Sequence, residues 1–195
     1  MRSLRILLAS ASPRRRALLE SLGHRVLVQA VSIDESERPA EGASAYVERI
    51  VGMKLAAALD RAALLEPGSW DALCVADTVV ALDGEILHKP TDANDGRRML
   101  ETLSGRTHVV TTRFAIANPA RVEHVESVPT RVVFRALEPD EIEAYVASGE
   151  GEDKAGGYAI QGGAASFVSR IEGSYGAVVG LPLAEVSVAL RRLVT

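Results

Sequence analysis

The stretch Leu7-Leu8-Ala9-Ser10-Ala11-Ser12-Pro13-Arg14-Arg15-Arg16-Ala17-Leu18-Leu19 passes from an apolar run through small hydroxyl residues into a helix start. Residues 5–9 read as a short buried strand. Ser12 reads as the N-cap and Pro13 as the first helical residue, where its missing N–H costs nothing. Gly23 closes the helix, because glycine takes the left-handed cap without strain. A buried strand feeding a helix opens an α/β fold. It also gathers free backbone N–H groups and the positive end of the helix dipole at one point. Arg14 and Arg15 add guanidinium forks that match phosphate oxygens in pairs. Two readings stand: a phosphate cradle, or an ordinary capped helix with solvated arginines.

Downstream, residues 24–31 read as a second strand, followed by an acidic loop over 32–39. Ser44 is expected to cap a long helix to about Leu65, apolar at helical spacing through Val47, Ile50, Val51 and Ala58. Residues 73–76 read as a buried strand that runs into Asp77-Thr78, followed by the apolar residues 79–82. Asp83-Gly84 is a two-residue hairpin signal. Thr91 caps a helix to Leu103, and residues 109–117 and 121–136 read as antiparallel strands. Pro139 opens a short helix closed by Gly149. The glycine-rich stretch 151–163 reads as irregular and outside the core, 164–171 as a strand, and Pro182 as the start of the last helix. Strands alternate with helices early and pair antiparallel later, so the fold class is α/β with a mixed, strongly twisted sheet flanked by helices.

A chain of 195 residues, 25% of them charged, fits one domain spanning 1–195. Its net charge of −4 argues against a general binder of nucleic acid or of membrane surfaces. An anion site must therefore be a local concentration of cations. Cys74 is the only cysteine, so disulfides and cysteine-based metal sites are excluded. No stretch has the ~20 apolar residues of a membrane span, and the chain is expected to be cytoplasmic.

Few residues invite chemistry. Asp77 follows an apolar run at what reads as the carboxyl end of a strand, where ligand crevices form in α/β proteins. It is either a capped strand terminus or a metal ligand and general base. Glu35 sits in the acidic loop, where solvation is the plain alternative. The chain has only three lysines, Lys54, Lys89 and Lys154. Lys54 lies on an apolar helix and either snorkels to water or serves a site. Lys89 follows the hairpin, where loop solvation competes. Lys154 belongs to a glycine-rich segment in which backbone can approach a ligand closely, and Gln161 offers a donor and an acceptor suited to a base edge.

Together, six ordered blocks resemble one family. They are Leu8-Ala9-Ser10-Ala11-Ser12-Pro13-Arg14-Arg15, Ala76-Asp77-Thr78-Val79, Gly84-Glu85-Ile86-Leu87-His88-Lys89-Pro90, Leu103-Ser104-Gly105-Arg106-Thr107-His108, Asp153-Lys154-Ala155-Gly156-Gly157-Tyr158-Ala159-Ile160-Gln161-Gly162, and Gly173-Ser174-Tyr175-Gly176-Ala177-Val178-Val179-Gly180-Leu181-Pro182. The order is that of Maf proteins, nucleoside triphosphate pyrophosphatases, over nearly the whole chain. The chain is most similar to the branch acting on dTTP and UTP, through Arg14, Thr78 and Gln161. The resemblance implies two lobes with a long substrate cleft between them, a divalent metal (Mg²⁺ or Mn²⁺), and a homodimer. It implies hydrolysis of a nucleoside triphosphate to the monophosphate and pyrophosphate, a task that would keep non-standard nucleotides out of nucleic acids and be linked to cell division arrest. Asp77 would be the proton acceptor, with Glu35, Lys54 and Lys89 also catalytic and Glu35 and Asp77 holding the metal. Ser10, Arg14, Arg15, Thr78 and Gln161 would bind the substrate or select it. One alternative is a nucleotide-binding regulator of cell division without turnover. A P-loop phosphotransferase is excluded, because no Gly-x-x-x-x-Gly-Lys-Ser/Thr loop is present.

Overall fold

A computed structural model describes residues 3–193. The strands among these residues are β1 (Arg5–Leu8), β2 (Arg25–Val28), β3 (Ala72–Leu82), β4 (Glu85–Leu87), β5 (Thr107–Ala117), β6 (Val122–Phe134) and β7 (Val168–Glu172). They form one sheet in the order β2-β1-β3-β5-β6-β7, with β4 paired to β3. The helices are α1 (Pro13–Ser21), α2 (Ala43–Ala62), α3 (Ala93–Leu103), α4 (Pro139–Ser148), α5 (Tyr175–Val179) and α6 (Leu183–Arg191). β1 pairs in parallel with β2 and β3, and every later pairing is antiparallel, so the sheet is mixed as expected.

Three apolar clusters hold helices to this sheet. Ile6, Leu8, Cys74, Ala76 and Phe114 pack with Leu19 of α1 and with Val186 and Leu190 of α6. Leu7, Leu73, Val75 and Val79 face the other way and pack against Val47, Ile50, Val51 and Ala58 of α2. The third cluster joins Leu100 and Leu103 of α3, Ile142 and Tyr145 of α4, and the far ends of β3, β5 and β6. Burying one such leucine contributes about 1.5–3 kcal/mol. The alternation of side chains along β3 divides its residues between the two faces.

Ser12 caps α1 as expected, accepting from Arg15 N, and Gly149 ends α4 in the left-handed conformation. Several expected boundaries shift. The α2 N-cap is Gly42 rather than Ser44, whose hydroxyl instead reaches Glu48 one turn on. Asp92, not Thr91, caps α3, and its carboxylate accepts from Asp95 N. Residues 163–167 form a 3-10 turn before β7 rather than a strand, and α5 was not anticipated. The glycine-rich stretch is not outside the core: Tyr158 and Ile160 are buried in the third cluster.

The correction with the largest consequence is β3. It runs unbroken for 11 residues through Asp77 and Thr78. Asp77 is therefore mid-strand, not at a strand end. The ladder continues because β5 stays paired along one whole edge, from Leu73↔Ala117 to Ala81↔Val109. The other edge is shared. β1 covers it only as far as Cys74, and β4 takes it up at Val80. Between them, residues 75–79 have no strand neighbour on that side among the described residues. The sheet has a notch there, and Asp77 and Thr78 stand in it.

Candidate active site

A cleft of about 730 Å³ opens at this notch, of a size that holds a small-molecule ligand. All nine site residues expected from the sequence line it: Ser10, Arg14, Arg15, Glu35, Lys54, Asp77, Thr78, Lys89 and Gln161. Its lining carries the cations Arg14, Arg15, Lys54, Lys89 and Lys154 against the carboxylates Glu35, Asp77 and Asp153. The cleft is thus locally positive although the chain is acidic, which favours an anionic ligand.

Asp77 and Thr78 project to opposite faces of β3 and meet different partners. Asp77 faces α2, where Lys54 is buried. Lys54 Nζ lies 2.6 Å from Asp77 Oδ1 and 2.7 Å from Glu35 Oε1. The ammonium does not snorkel to water. Asp77 Oδ2 accepts no hydrogen bond among the described residues, which leaves it free toward the cleft.

Glu35 reaches this cluster because α2 holds its loop. Tyr46 Oη donates to the Glu35 carbonyl at 3.1 Å, and Arg49 Nη2 donates to the Ser36 carbonyl at 2.9 Å. Burial and the Asp77 and Glu35 carboxylates push the Tyr46 phenol up to about 12, so it stays a neutral donor. Tyr46 was not singled out from sequence. It sits at helical spacing among core residues, and nothing local marks it as a loop anchor. His88 Nε2 meets Glu37 Oε2 at 2.7 Å and ties the same loop to the segment carrying Lys89.

On the opposite face, all three nitrogens of the Arg15 guanidinium donate to the protein, through three of its five N–H groups. Its Nε donates to the Gly180 carbonyl (2.9 Å), Nη1 to Ser10 Oγ (3.1 Å) and Nη2 to Thr78 Oγ1 (3.1 Å). Thr78 lies directly across from Thr112 in the ladder, with the hydroxyl oxygens 2.7 Å apart. Thr112 donates its single proton to the Ala177 carbonyl, so the Thr78 proton must go to Thr112. A directed chain results, from Arg15 through Thr78 and Thr112 to Ala177. It welds α1, β3, β5 and α5 together behind the cleft and turns the Thr78 proton away from a ligand. Ser10, also buried, accepts from Ser12 N as well as from Arg15.

Arg14, Lys89 and Gln161 differ from these. None has a side-chain hydrogen bond or ion pair among the described residues, yet all three line the cleft. Arg14 and Arg15, expected as a matched pair of forks, are therefore divided: Arg15 is built into the wall and Arg14 is free to bind. Burial lowers the Arg14 pKa, but an arginine remains charged.

For a divalent cation, the protein offers two carboxylate groups. No group of three or more His, Cys, Asp or Glu that could hold a metal occurs among the described residues. Glu35 and Asp77 already converge on one cation, the Lys54 ammonium. Two hard oxygen groups, completed by water and phosphate oxygens, fit the way Mg²⁺ is held with nucleotide substrates. Among the described residues no helix is long and apolar enough to cross a membrane.

Comparison with known proteins shows the family. The family model described as Maf-like protein matches residues 5–193. The chain is 50% identical over 192 residues to the dTTP/UTP pyrophosphatase of Geobacter sp. (strain M21), covering 98% of this chain and 96% of that one. It is 48% identical over 187 residues to the dTTP/UTP pyrophosphatase of Myxococcus xanthus (strain DK1622), covering 96% and 91%. A crystal structure of a nucleoside-triphosphatase, dITP/XTP pyrophosphatase, from Mycobacterium abscessus overlaps only partly. Its TM-score is 0.42 and its identity 18%, over 69% of this chain and 76% of that one, too slight a likeness to carry weight. With the six sequence blocks in order and a family match over nearly its full length, the chain belongs to the Maf-like protein family.

Proposed function

We propose that the protein is a nucleoside triphosphate pyrophosphatase that hydrolyses dTTP and UTP to the monophosphate and pyrophosphate. One observation carries this reading: a single cleft joins the Lys54–Asp77–Glu35 cluster to the unpartnered Arg14, Lys89 and Gln161. The first group suits hydrolysis and the second suits grip on an anion and a base. The relatives of known name support the same substrates.

Water attacks the α-phosphorus in line with the bridging oxygen to the β-phosphate. Asp77 takes the water's proton on Oδ2, while Lys54 fixes the other oxygen and so sets the carboxylate's orientation. Lys89 and Arg14 offset phosphate charge as it shifts toward the leaving pyrophosphate. Arg15, Ser10 and Thr78 keep the wall in place, and Gln161 meets the base. Glu35 and Asp77 would hold a divalent cation, Mg²⁺ or Mn²⁺, which when bound neutralises charge and acidifies water. The proposal includes one catalytic domain over 1–195, two lobes flanking the cleft, a homodimer and a cytoplasmic setting.

The test is to incubate the protein with UTP and Mg²⁺ and identify the products, for wild type and for Asp77→Asn. UMP and pyrophosphate are expected, with turnover about a hundredfold or more lower in the variant while nucleotide still binds. UDP and phosphate, or tight binding without turnover, would refute the reading. Near wild-type turnover in a folded Asp77→Asn protein would remove Asp77 from the chemistry.

A further inference from the structure

Lys154 lines the same cleft as Lys54 but in a different electrostatic setting. Lys54 is bracketed by two carboxylates. Among the described residues the side chain of Lys154 has one partner, the neighbouring Asp153, whose side chain is 76% exposed while that of Lys154 is only 17% exposed. The position of Lys154 is set by its backbone. Gly156 N donates to the His88 carbonyl at 3.0 Å, which fastens the segment next to Lys89. Lys154 N donates to the Gly151 carbonyl and Gly157 N to the Lys154 carbonyl, closing a compact turn.

This turn tolerates no side chain at two points. A Cβ on Gly151 would lie 2.1 Å from the Gly157 carbonyl oxygen, and one on Gly156, at φ +75°, would meet Val80 at 3.0 Å. Close packing of backbone on β3 thus holds the lysine at the cleft. Burial first, and then the charges of Arg14 and Lys89, pull the Lys154 pKa down. Arg14, Lys89 and Lys154 thus line one cleft together, and the carboxylate paired with Lys154, on Asp153, is exposed. An incoming polyanion would offset all three cations.

We propose that Lys154 contacts the β- and γ-phosphoryl groups, the part of the triphosphate that leaves as pyrophosphate, and that Asp153 gives it up when the anion arrives. The cleft is then polar along its length. The carboxylates and Lys54 address the α-phosphorus, and Arg14, Lys89 and Lys154 gather the leaving group. The inference rests on the pyrophosphatase reading above and adds a residue to it.

The experiment is product inhibition of UTP hydrolysis, measured separately with inorganic pyrophosphate and with UMP. In Lys154→Met the inhibition constant for pyrophosphate should rise about tenfold or more, as expected on losing a charge-assisted hydrogen bond. That for UMP should stay within about twofold, and Lys154→Arg should recover part of the pyrophosphate affinity. Asp153→Asn should lower the pyrophosphate constant, because the ammonium no longer has a competing partner. An unchanged pyrophosphate constant in folded Lys154→Met, or equal rises for both products, would overturn the proposal. If Lys154→Met does not fold, an Asp153→Asn protein with unaltered pyrophosphate inhibition would overturn it. Failure of the wild type to release pyrophosphate would instead sink the underlying reading, and no variant is needed to see it.

Discussion

Lys54 Nζ stands 2.6 Å from Asp77 Oδ1, and this ion pair joins the middle of α2 to the middle of β3 at the notch in the sheet. On the proposed mechanism the Lys54 ammonium orients the carboxylate assigned as proton acceptor, and its place between Asp77 and Glu35 offsets part of the repulsion between the two acidic groups. Removing the amine therefore affects both stability and chemistry.

Lys54→Ala should lower kcat/KM for UTP by at least about tenfold and cost about 1–3 kcal/mol of stability, the usual penalty for stranding a partly buried polar partner. Steady-state kinetics and urea denaturation read the two effects. If both stay at wild-type values, Lys54 is an ordinary surface-seeking lysine and the cluster has no role.

Base choice should follow Gln161. The triphosphate is common to every nucleotide, so Lys54, Lys89 and the carboxylates cannot tell one base from another. Gln161 lines the cleft with its amide uncommitted, whereas Thr78 has its proton directed to Thr112. Gln161→Glu should reduce the preference for dTTP and UTP over CTP and GTP, by roughly five- to hundredfold. An unchanged ranking of kcat/KM across the four nucleotides would mean that the base is read elsewhere.

The pH dependence of stability should carry the signature of His108. This ring is buried between β5 and the glycine-rich segment, with Nε2 2.7 Å from Tyr158 Oη and Nδ1 without a partner. Burial pulls its pKa from the ordinary 6.5 down to about 4. Between these values the unfolded chain takes up a proton that the folded protein refuses. The contribution is thus complete above about pH 6.5 and is lost as pH falls toward about 4, reaching about 3 kcal/mol at most. Urea titrations at pH 7.5 and 4.5 should therefore show a smaller pH effect in His108→Phe than in wild type. Equal pH effects in the two proteins would exclude His108 as the source.

Local chemistry made much of this legible in advance. Ser12, Pro13 and Gly149 mark helix ends through backbone rules that need no tertiary partner, and the structure follows them. Ser44 and Thr91 fail as caps because a neighbour, Gly42 or Asp92, has the backbone conformation the cap requires. Asp77 stands out in sequence as a charge after an apolar run. Its true setting does not, because a half-buried mid-strand carboxylate needs a partner from another element, and Lys54 of α2 meets Asp77 only once the chain has folded. The glycine-rich stretch misleads for a related reason. Its polar composition suggests a surface loop, but its glycines let backbone pack tightly enough on β3 and α3 to bury Tyr158 and Ile160. Tyr46 and Thr112 act only through distant partners, Glu35 and Thr78 with Ala177, and no local pattern reveals them.

Attack of water on the α-phosphorus beside Asp77 determines which product carries the solvent oxygen. UTP should be hydrolysed by the wild-type protein in ¹⁸O-enriched water, with both products examined by mass spectrometry. Attack at the α-phosphorus puts one solvent oxygen in UMP and none in pyrophosphate. Label in pyrophosphate with unlabelled UMP would place the attack on the β-phosphorus and contradict it.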